Sequence, residues 1–198
     1  MLNMSIFEIK NHLRKFRVGI AGAGGLGSNC AVALARSGIG TLVISDFDVI
    51  EESNLTRQYF FTDQVGMLKT EALKENLFRI DRNVSVITYQ DKLHRSNISR
   101  IFSGCDIVVE AFDKPEMKEM LIETLQAEMP GTPLVIGSGV AGWGNNEAIR
   151  CRKIDDTLYI CGDETSEVTE KMPPMAPKVG IVANMQANVV IEILMQKK

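Results

Sequence analysis

Three glycines, at 22, 24 and 27, fit G-x-G-x-x-G in "GIAGAGGLGSN" (19–29), between a short apolar run and an alanine-rich stretch. Placed between a strand and a helix, that spacing builds an anion site. Gly22 permits a tight bend and Gly24 lets backbone approach a phosphate closely. Gly27 lets the helix pack on its strand, so that the amides of the helix N-terminus face the charge. Asp46, roughly 20 residues beyond the last glycine, stands where a carboxylate takes ribose hydroxyls. A dehydrogenase would be served equally well so far. "DFDVIEESNLTRQYFF" (46–61) then adds Asn54, Arg57 and Gln58, and "GMLKTEAL" adds Lys69. A hydride-transfer site has little use for an Arg and a Lys just past the ribose carboxylate. A triphosphate does, since Arg offers a bidentate fork and Lys a mobile point charge. Taken singly, Arg57 and Lys69 would serve as well in surface pairs, for example Lys69 with Glu71. Asp113, just after the buried run "DIVVEA", falls at the carboxyl edge of a sheet and suits Mg2+ beside phosphates. The bland reading of Asp113 is a helix cap near Lys114.

The elements that must position these residues alternate. Ser5-Ile6-Phe7-Glu8 has capping-box spacing and opens an N-terminal helix within residues 1–16, reaching about Lys15, with Phe7, Leu13 and Phe16 as anchors. Arg17 to Ala21 reads as a buried strand, Leu26 to Ser37 as a helix stopped by Gly38 and Gly40, and "TLVISD" (41–46) as a second strand. Leu68, Ala72, Leu73 and Leu77 recur at helical spacing, followed by the strand "VSVITY" (84–89). A polar helical piece precedes "DIVVEA" (106–111), which has the β-branched density of a central parallel strand. A helix from Lys118 to Met129 and the strand "PLVIGS" (133–138) come next. This order predicts an α/β fold, a Rossmann-like, doubly wound and mostly parallel sheet. "NEAIRCRKI" and "TLYIC" look like a C-terminal antiparallel extension, residues 162–177 like a mobile polar loop, and "KVGIVANMQANVVIEILMQ" like a closing core helix.

The bulk composition narrows the classes. At 198 residues, with 45% hydrophobic and 24% charged residues, the chain reads as one domain over 1–198. A net charge of -3 speaks against nucleic-acid and anionic-membrane partners. No apolar run approaches the roughly 20 residues of a membrane span and no secretion signal is evident, so a cytoplasmic location is expected. Cys30, Cys105, Cys151 and Cys161 form no C-x-x-C pair, so no zinc is expected. His12 and His94 lack a ligand pattern and read as surface residues.

In order along the chain, "GAGGLGSN", "DFD", "SNLTRQ", "GMLKTEAL", "AFDKPEMK" and "MAPKVGIVANMQAN" resemble the adenylating enzymes of the ubiquitin-activating superfamily, from about residue 15 to 196. Within it the chain is most similar to the bacterial ThiF/MoeB branch that activates sulfur-carrier proteins, and there to the short thiamine-biosynthesis ThiF type. The resemblance implies that ATP and the C-terminal glycine carboxylate of a small ubiquitin-like carrier yield an acyl-adenylate and pyrophosphate. By it Gly22, Gly24 and Gly27 hold the nucleotide, Asp46 the ribose, and Asn54, Arg57, Gln58 and Lys69 the phosphates, with Asp113 as the magnesium ligand. Arg57, Lys69 and Asp113 would carry the catalysis. It also implies a two-fold homodimer, in which Arg14, or else Arg17, could reach the partner's ATP, and a clamp over the carrier tail by residues 162–177. Relatives that bond covalently to their carrier use a cysteine in that loop. This loop has none, and Cys161 at its edge is expected to be a buried strand residue.

Two other classes stay open on sequence. An NAD-dependent oxidoreductase would leave Arg57 and Lys69 without work, and a non-catalytic ATP-sensing module would have no need of all three charged residues. Carriers of the molybdopterin and cysteine pathways have similar tails to the thiamine one.

Overall fold

The computed structural model describes residues 4–197. Strand β1 (Arg17–Ala21) lies inside a seven-stranded sheet, flanked by β2 (Thr41–Ser45) and then β3 (Ser85–Tyr89) on one side. On its other side run β4 (Ile107–Glu110), β5 (Leu134–Gly137), β7 (Leu158–Gly162) and β6 (Arg150–Lys153) at the edge. All neighbours pair in parallel except β6 with β7, the expected antiparallel extension.

Apolar residues alternate between the two faces with the period of 2 that strands impose. Val18, Ile20, Ile107, Val109 and Val135 face one buried cluster, shared with α2 (Gly25–Ser37), α3 (Lys69–Ile80) and α6 (Ala176–Gln196). Ala21, Val108, Leu134 and Ile136 face the other, beneath α4 (Arg95–Ile101) and α5 (Pro115–Glu128). Helices thus cover both faces, as a parallel sheet requires.

The chain winds outward through β2 and β3 and then returns to place β4 on the far side of β1. The carboxyl ends of β1 and β4 therefore diverge into a crevice, where open α/β sheets hold ligands.

The N-terminal helix α1 (Ile6–Leu13) starts on the predicted capping box: the Glu8 amide bonds Ser5 Oγ and the Ser5 amide bonds Glu8 Oε2. Leu13 and Phe16 are buried, but Phe7 is 70% exposed and is no anchor, because it lies on the face turned away from α6. His12 is half-buried and bonds the Leu194 carbonyl, so it is a packing residue rather than a surface one. Helix α6 meets the length and composition of a membrane span, which the sequence reading did not expect. One side of it, including Val179, Val182, Ala183 and Val190, is buried in the core against α2, which accounts for its apolarity.

Candidate functional site

The crevice is built around the glycine turn. Gly22 has φ +100°, a conformation side chains resist, and a Cβ there would stand 2.9 Å from the Ala111 carbonyl. Gly27 is needed for packing: a Cβ would lie 1.9 Å from the Gly22 carbonyl oxygen. Gly24 differs from both, since its nearest neighbour would be Gln58 Nε2 at 3.8 Å, and it faces open space. It is the N-cap of α2 and brings no side-chain cap, which leaves the amides of the first helical turn to a ligand.

Asp46 stands at the end of β2 beside this turn. Its Oδ2 accepts the Ala23 amide at 2.6 Å and its Oδ1 the Asp48 amide at 2.8 Å. Burial pushes its carboxyl above the usual range, while those two amides and the Lys69 charge pull against that shift.

Residues 52–64 form a cover over the turn, built from two 3-10 turns, Glu52–Thr56 and Thr62–Gln64. Helix α2 fixes it. Ser28 Oγ accepts the Tyr59 amide at 3.0 Å, and Asn29 Nδ2 donates to the Arg57 carbonyl at 3.0 Å. From below, the buried Gln64 and Asn76 exchange two amide hydrogen bonds of 3.0 Å, and Asn76 also bonds the Tyr59 carbonyl. The Arg57 side chain is thereby laid against the start of α2, its Cγ 3.6 Å from where a Gly25 Cβ would stand. Among the described residues, its guanidinium hydrogen-bonds only the Ser53 carbonyl and the Thr56 hydroxyl, at 3.1 and 3.2 Å. Gln58 lies beside Gly24, and among the described residues its buried Oε1 has no partner, a group open to a ligand.

Lys69 begins α3 and is 6% exposed. It does not pair with Glu71, which instead accepts from Thr88 and Gln90. Its ammonium lies 2.7 Å from Asp48 Oδ2 and close enough to Asp46 to influence its charge. Asp113 is exposed on the turn after β4, and that turn presses on the glycines through Ala111 and Phe112. It does not cap α5; the N-cap is Lys114, without a side-chain bond. Among the described residues, Asp113 has no hydrogen-bond or ion-pair partner, and no group of three or more His, Cys, Asp or Glu is placed to hold a metal.

Two expected contributors point elsewhere. Asn54 is buried in its own 3-10 turn, its Oδ1 accepting the Glu51 amide at 3.2 Å, so its present role is to shape the cover. Arg14 pairs with Asp81 at 2.8 Å, at the amino edge of the sheet, opposite the crevice of its own chain.

Two buried ion pairs were not anticipated. Glu110, fully buried at the end of β4, takes Lys118 on both carboxylate oxygens at 2.8 and 2.9 Å, and it accepts the Phe112 amide at 2.6 Å. This pair fixes the turn that carries Asp113. Burial pushes the Glu110 carboxyl up against the pull of Lys118. Asp163 and Lys178, 3% and 6% exposed, meet at 2.7 Å, and Lys178 also bonds the Ala141 carbonyl. They clip the two ends of the polar segment together. Its irregular part runs over 163–175, because Gly162 ends β7 and α6 starts at Ala176. Burial opposes the Asp163 charge, but Lys178 and the Ser166 and Thr165 amides outweigh it and hold the carboxyl far below its usual range.

The glycine turn, the Asp46 carboxylate, Arg57 and Lys69 on two separate segments, and the exposed Asp113 thus lie at the carboxyl ends of β1, β2 and β4 or on the segments that follow them. The chain matches the ThiF family over residues 3–198. It belongs to the ThiF family. The adenylyltransferase and sulfurtransferase UBA4 of Eremothecium gossypii is 42% identical over 133 residues, 67% of this chain and 30% of that protein. UBA4 of Yarrowia lipolytica is 31% identical over 194 residues, 92% of this chain and 46% of the relative. The ThiF-family chain therefore spans less than half the length of these curated relatives. The E. coli tRNA N6-threonylcarbamoyladenosine dehydratase TcdA, solved with AMP, shares the fold at a TM-score of 0.85 and 21% identity, over 96% of this chain and 90% of that one. E. coli MccB, solved with ATP, has a TM-score of 0.70 and 26% identity over 94% of this chain and 57% of its own.

Proposed function

We propose that this chain is an ATP-dependent adenylyltransferase acting on the C-terminal glycine carboxylate of a small ubiquitin-like sulfur-carrier protein. The observation that carries the reading is that Asp46 bonds the glycine turn, Arg57 lies against the start of α2, Lys69 pairs with Asp48 two residues from Asp46, and Asp113 follows the Ala111–Phe112 turn that packs on Gly22. The matched relatives bear the name adenylyltransferase and sulfurtransferase, which supports both the reaction and a sulfur-carrier substrate. As the finer assignment we propose a thiamine-type carrier, on the strength of the motif likeness.

In this scheme the free amides at the start of α2 take phosphate oxygens and Asp46 takes the ribose hydroxyls. The carrier carboxylate, already ionised, attacks the α-phosphorus. An acyl–O–P bond forms, the bond to the β-phosphate oxygen breaks, and pyrophosphate leaves. No general base is required. The obstacle is an anion approaching a polyanion, and Arg57 and Lys69 lower it by offsetting charge on the α-phosphate and the departing pyrophosphate. Magnesium fits Asp113, an exposed carboxylate at the crevice, because that ion takes one or two carboxylates and completes its shell with phosphate oxygens and water. When bound it would supply further charge neutralisation on the phosphates. The 163–175 segment, clipped by Asp163 and Lys178, is suited to close over the carrier tail. A homodimer is part of the proposal, and a solution mass would test it.

The decisive measurement is pyrophosphate exchange into ATP, with and without carriers ending in Gly-Gly. Carrier-dependent exchange is expected, strongest with the thiamine-type carrier. Arg57→Ala or Asp113→Ala should lower it by orders of magnitude with the thermal midpoint kept. Exchange that ignores both substitutions, or silence with every carrier, would overturn the reading.

A further inference from the structure

Lys69 presents an electrostatic problem. The residue is 6% exposed, and a buried cation without an anion is costly. If its task is to meet a polyphosphate, it still needs an anion when no nucleotide is present. Asp48 is that anion, with Oδ2 at 2.7 Å.

The two partners are unequally buried. The Asp48 side chain is 49% exposed and the Lys69 side chain 8%. In the Asp163–Lys178 pair, by contrast, both side chains are almost fully enclosed. That pair has nowhere to go, whereas the Asp48 carboxylate can rotate into water at little cost. Its backbone would stay in place, because its amide donates to Asp46 Oδ1 at 2.8 Å and its carbonyl accepts the Lys69 amide at 3.0 Å. Asp48 is therefore held by the ribose carboxylate and by the residue it neutralises, with only its carboxylate free to leave.

Resting on the adenylyltransferase reading, we infer that Asp48 is the exchangeable counter-ion of Lys69, displaced by a phosphate oxygen when nucleotide enters and restored when pyrophosphate departs. It acts through Lys69 and is a positioning residue. It competes with the phosphates for one ammonium, so it weakens ground-state binding and speeds release. The identity of this competitor was present in "DFD", but nothing in the sequence joined it to Lys69.

The test is calorimetric binding of ATP, and separately of inorganic pyrophosphate, to the full chain and to D48N, D48E, K69M and D48N/K69M. Removing the competitor should tighten both ligands about 3- to 5-fold in D48N, the scale of a half-exposed ion pair. D48E should bind like the wild type. Without Lys69 the effect should shrink, so D48N/K69M should differ from K69M by less than about twofold. In pyrophosphate exchange, D48N should lower the KM for ATP without raising kcat. Unchanged or weaker binding in D48N, or equal tightening in the K69M background, overturns the inference while leaving the adenylyltransferase reading intact. A wild-type chain that neither binds ATP nor exchanges pyrophosphate overturns that reading, and the inference with it.

Discussion

Gly24 and Gly27 lie three residues apart in one motif, yet the same substitution should act on them in opposite ways. A methyl group at Gly27 would stand 1.9 Å from the Gly22 carbonyl oxygen and 3.2 Å from Ala111 Cβ. The obstacle is backbone, so strand and helix would have to separate by more than an ångström, and this junction lies inside the core. Overpacking of that kind costs about 1–3 kcal/mol or more. A methyl group at Gly24 would meet nothing closer than Gln58 Nε2 at 3.8 Å, and the backbone there has φ -77°, which alanine adopts. Its folding cost should stay within about 0.5 kcal/mol. It would, however, fill the space a phosphate oxygen needs to reach the helix amides. Loss of one charge-assisted hydrogen bond, about 1.5–3 kcal/mol, corresponds to roughly 10- to 100-fold in affinity. Urea unfolding and ATP calorimetry on Gly24→Ala and Gly27→Ala separate the two effects. Gly24→Ala should keep wild-type stability and lose ATP affinity, and Gly27→Ala should lose stability first. A Gly24→Ala chain that binds ATP normally would show that phosphate does not pass that point. A fully stable Gly27→Ala chain would refute the strand–helix packing.

Three further outcomes are expected. Lys178→Met leaves Asp163 buried without its cation and should cost about 3–5 kcal/mol in urea unfolding. In the wild type, the depressed Asp163 carboxyl contributes stability that is complete above its unfolded value and lost as pH falls below about 4, so acid unfolding should be steeper in the wild type than in Asp163→Asn. Asp46→Asn leaves one acceptor oxygen for two backbone amides, so it should lower stability by about 1–3 kcal/mol in urea unfolding, while weakening ATP binding roughly 10- to 100-fold through the ribose hydroxyls; equal binding would place the ribose elsewhere. Asn76→Leu strips partners from Gln64 and the Tyr59 carbonyl and should destabilise by about 1–3 kcal/mol, with KM for ATP rising as the Arg57 cover loosens.

Local chemistry made much of this legible in advance. The glycine spacing, the β-branched run 106–111 and the capping box at Ser5 each depend on neighbours within a few residues, and each predicted its element correctly. Phe7 was misjudged because apolar periodicity in one short helix does not say which side has a partner. The ion pairs were hidden for another reason. Glu110 with Lys118, Asp163 with Lys178 and Asp48 with Lys69 join residues 8 to 21 positions apart, and whether such charges meet depends on how the strands order themselves. Ser28 and Asn29 lay in view within "GSN", but their work is to hold residues 57–59, a contact set by tertiary packing. Asn54 shows the converse: its position in the motif suggested a ligand contact, and its side chain shapes its own turn.

The pairing of α2 with α6 has a consequence for synthesis. Helix α2 leaves the ribosome well before α6, with Leu26, Cys30, Ala31, Leu34 and Ala35 all destined for the interior. The helix that covers it is completed only at residue 196. Until α6 emerges that surface has no native cover, and the sheet cannot close that face. Chaperone demand on the nascent chain should therefore persist until α6 has emerged, and truncation within α6 should harm yield far more than its distance from the crevice suggests.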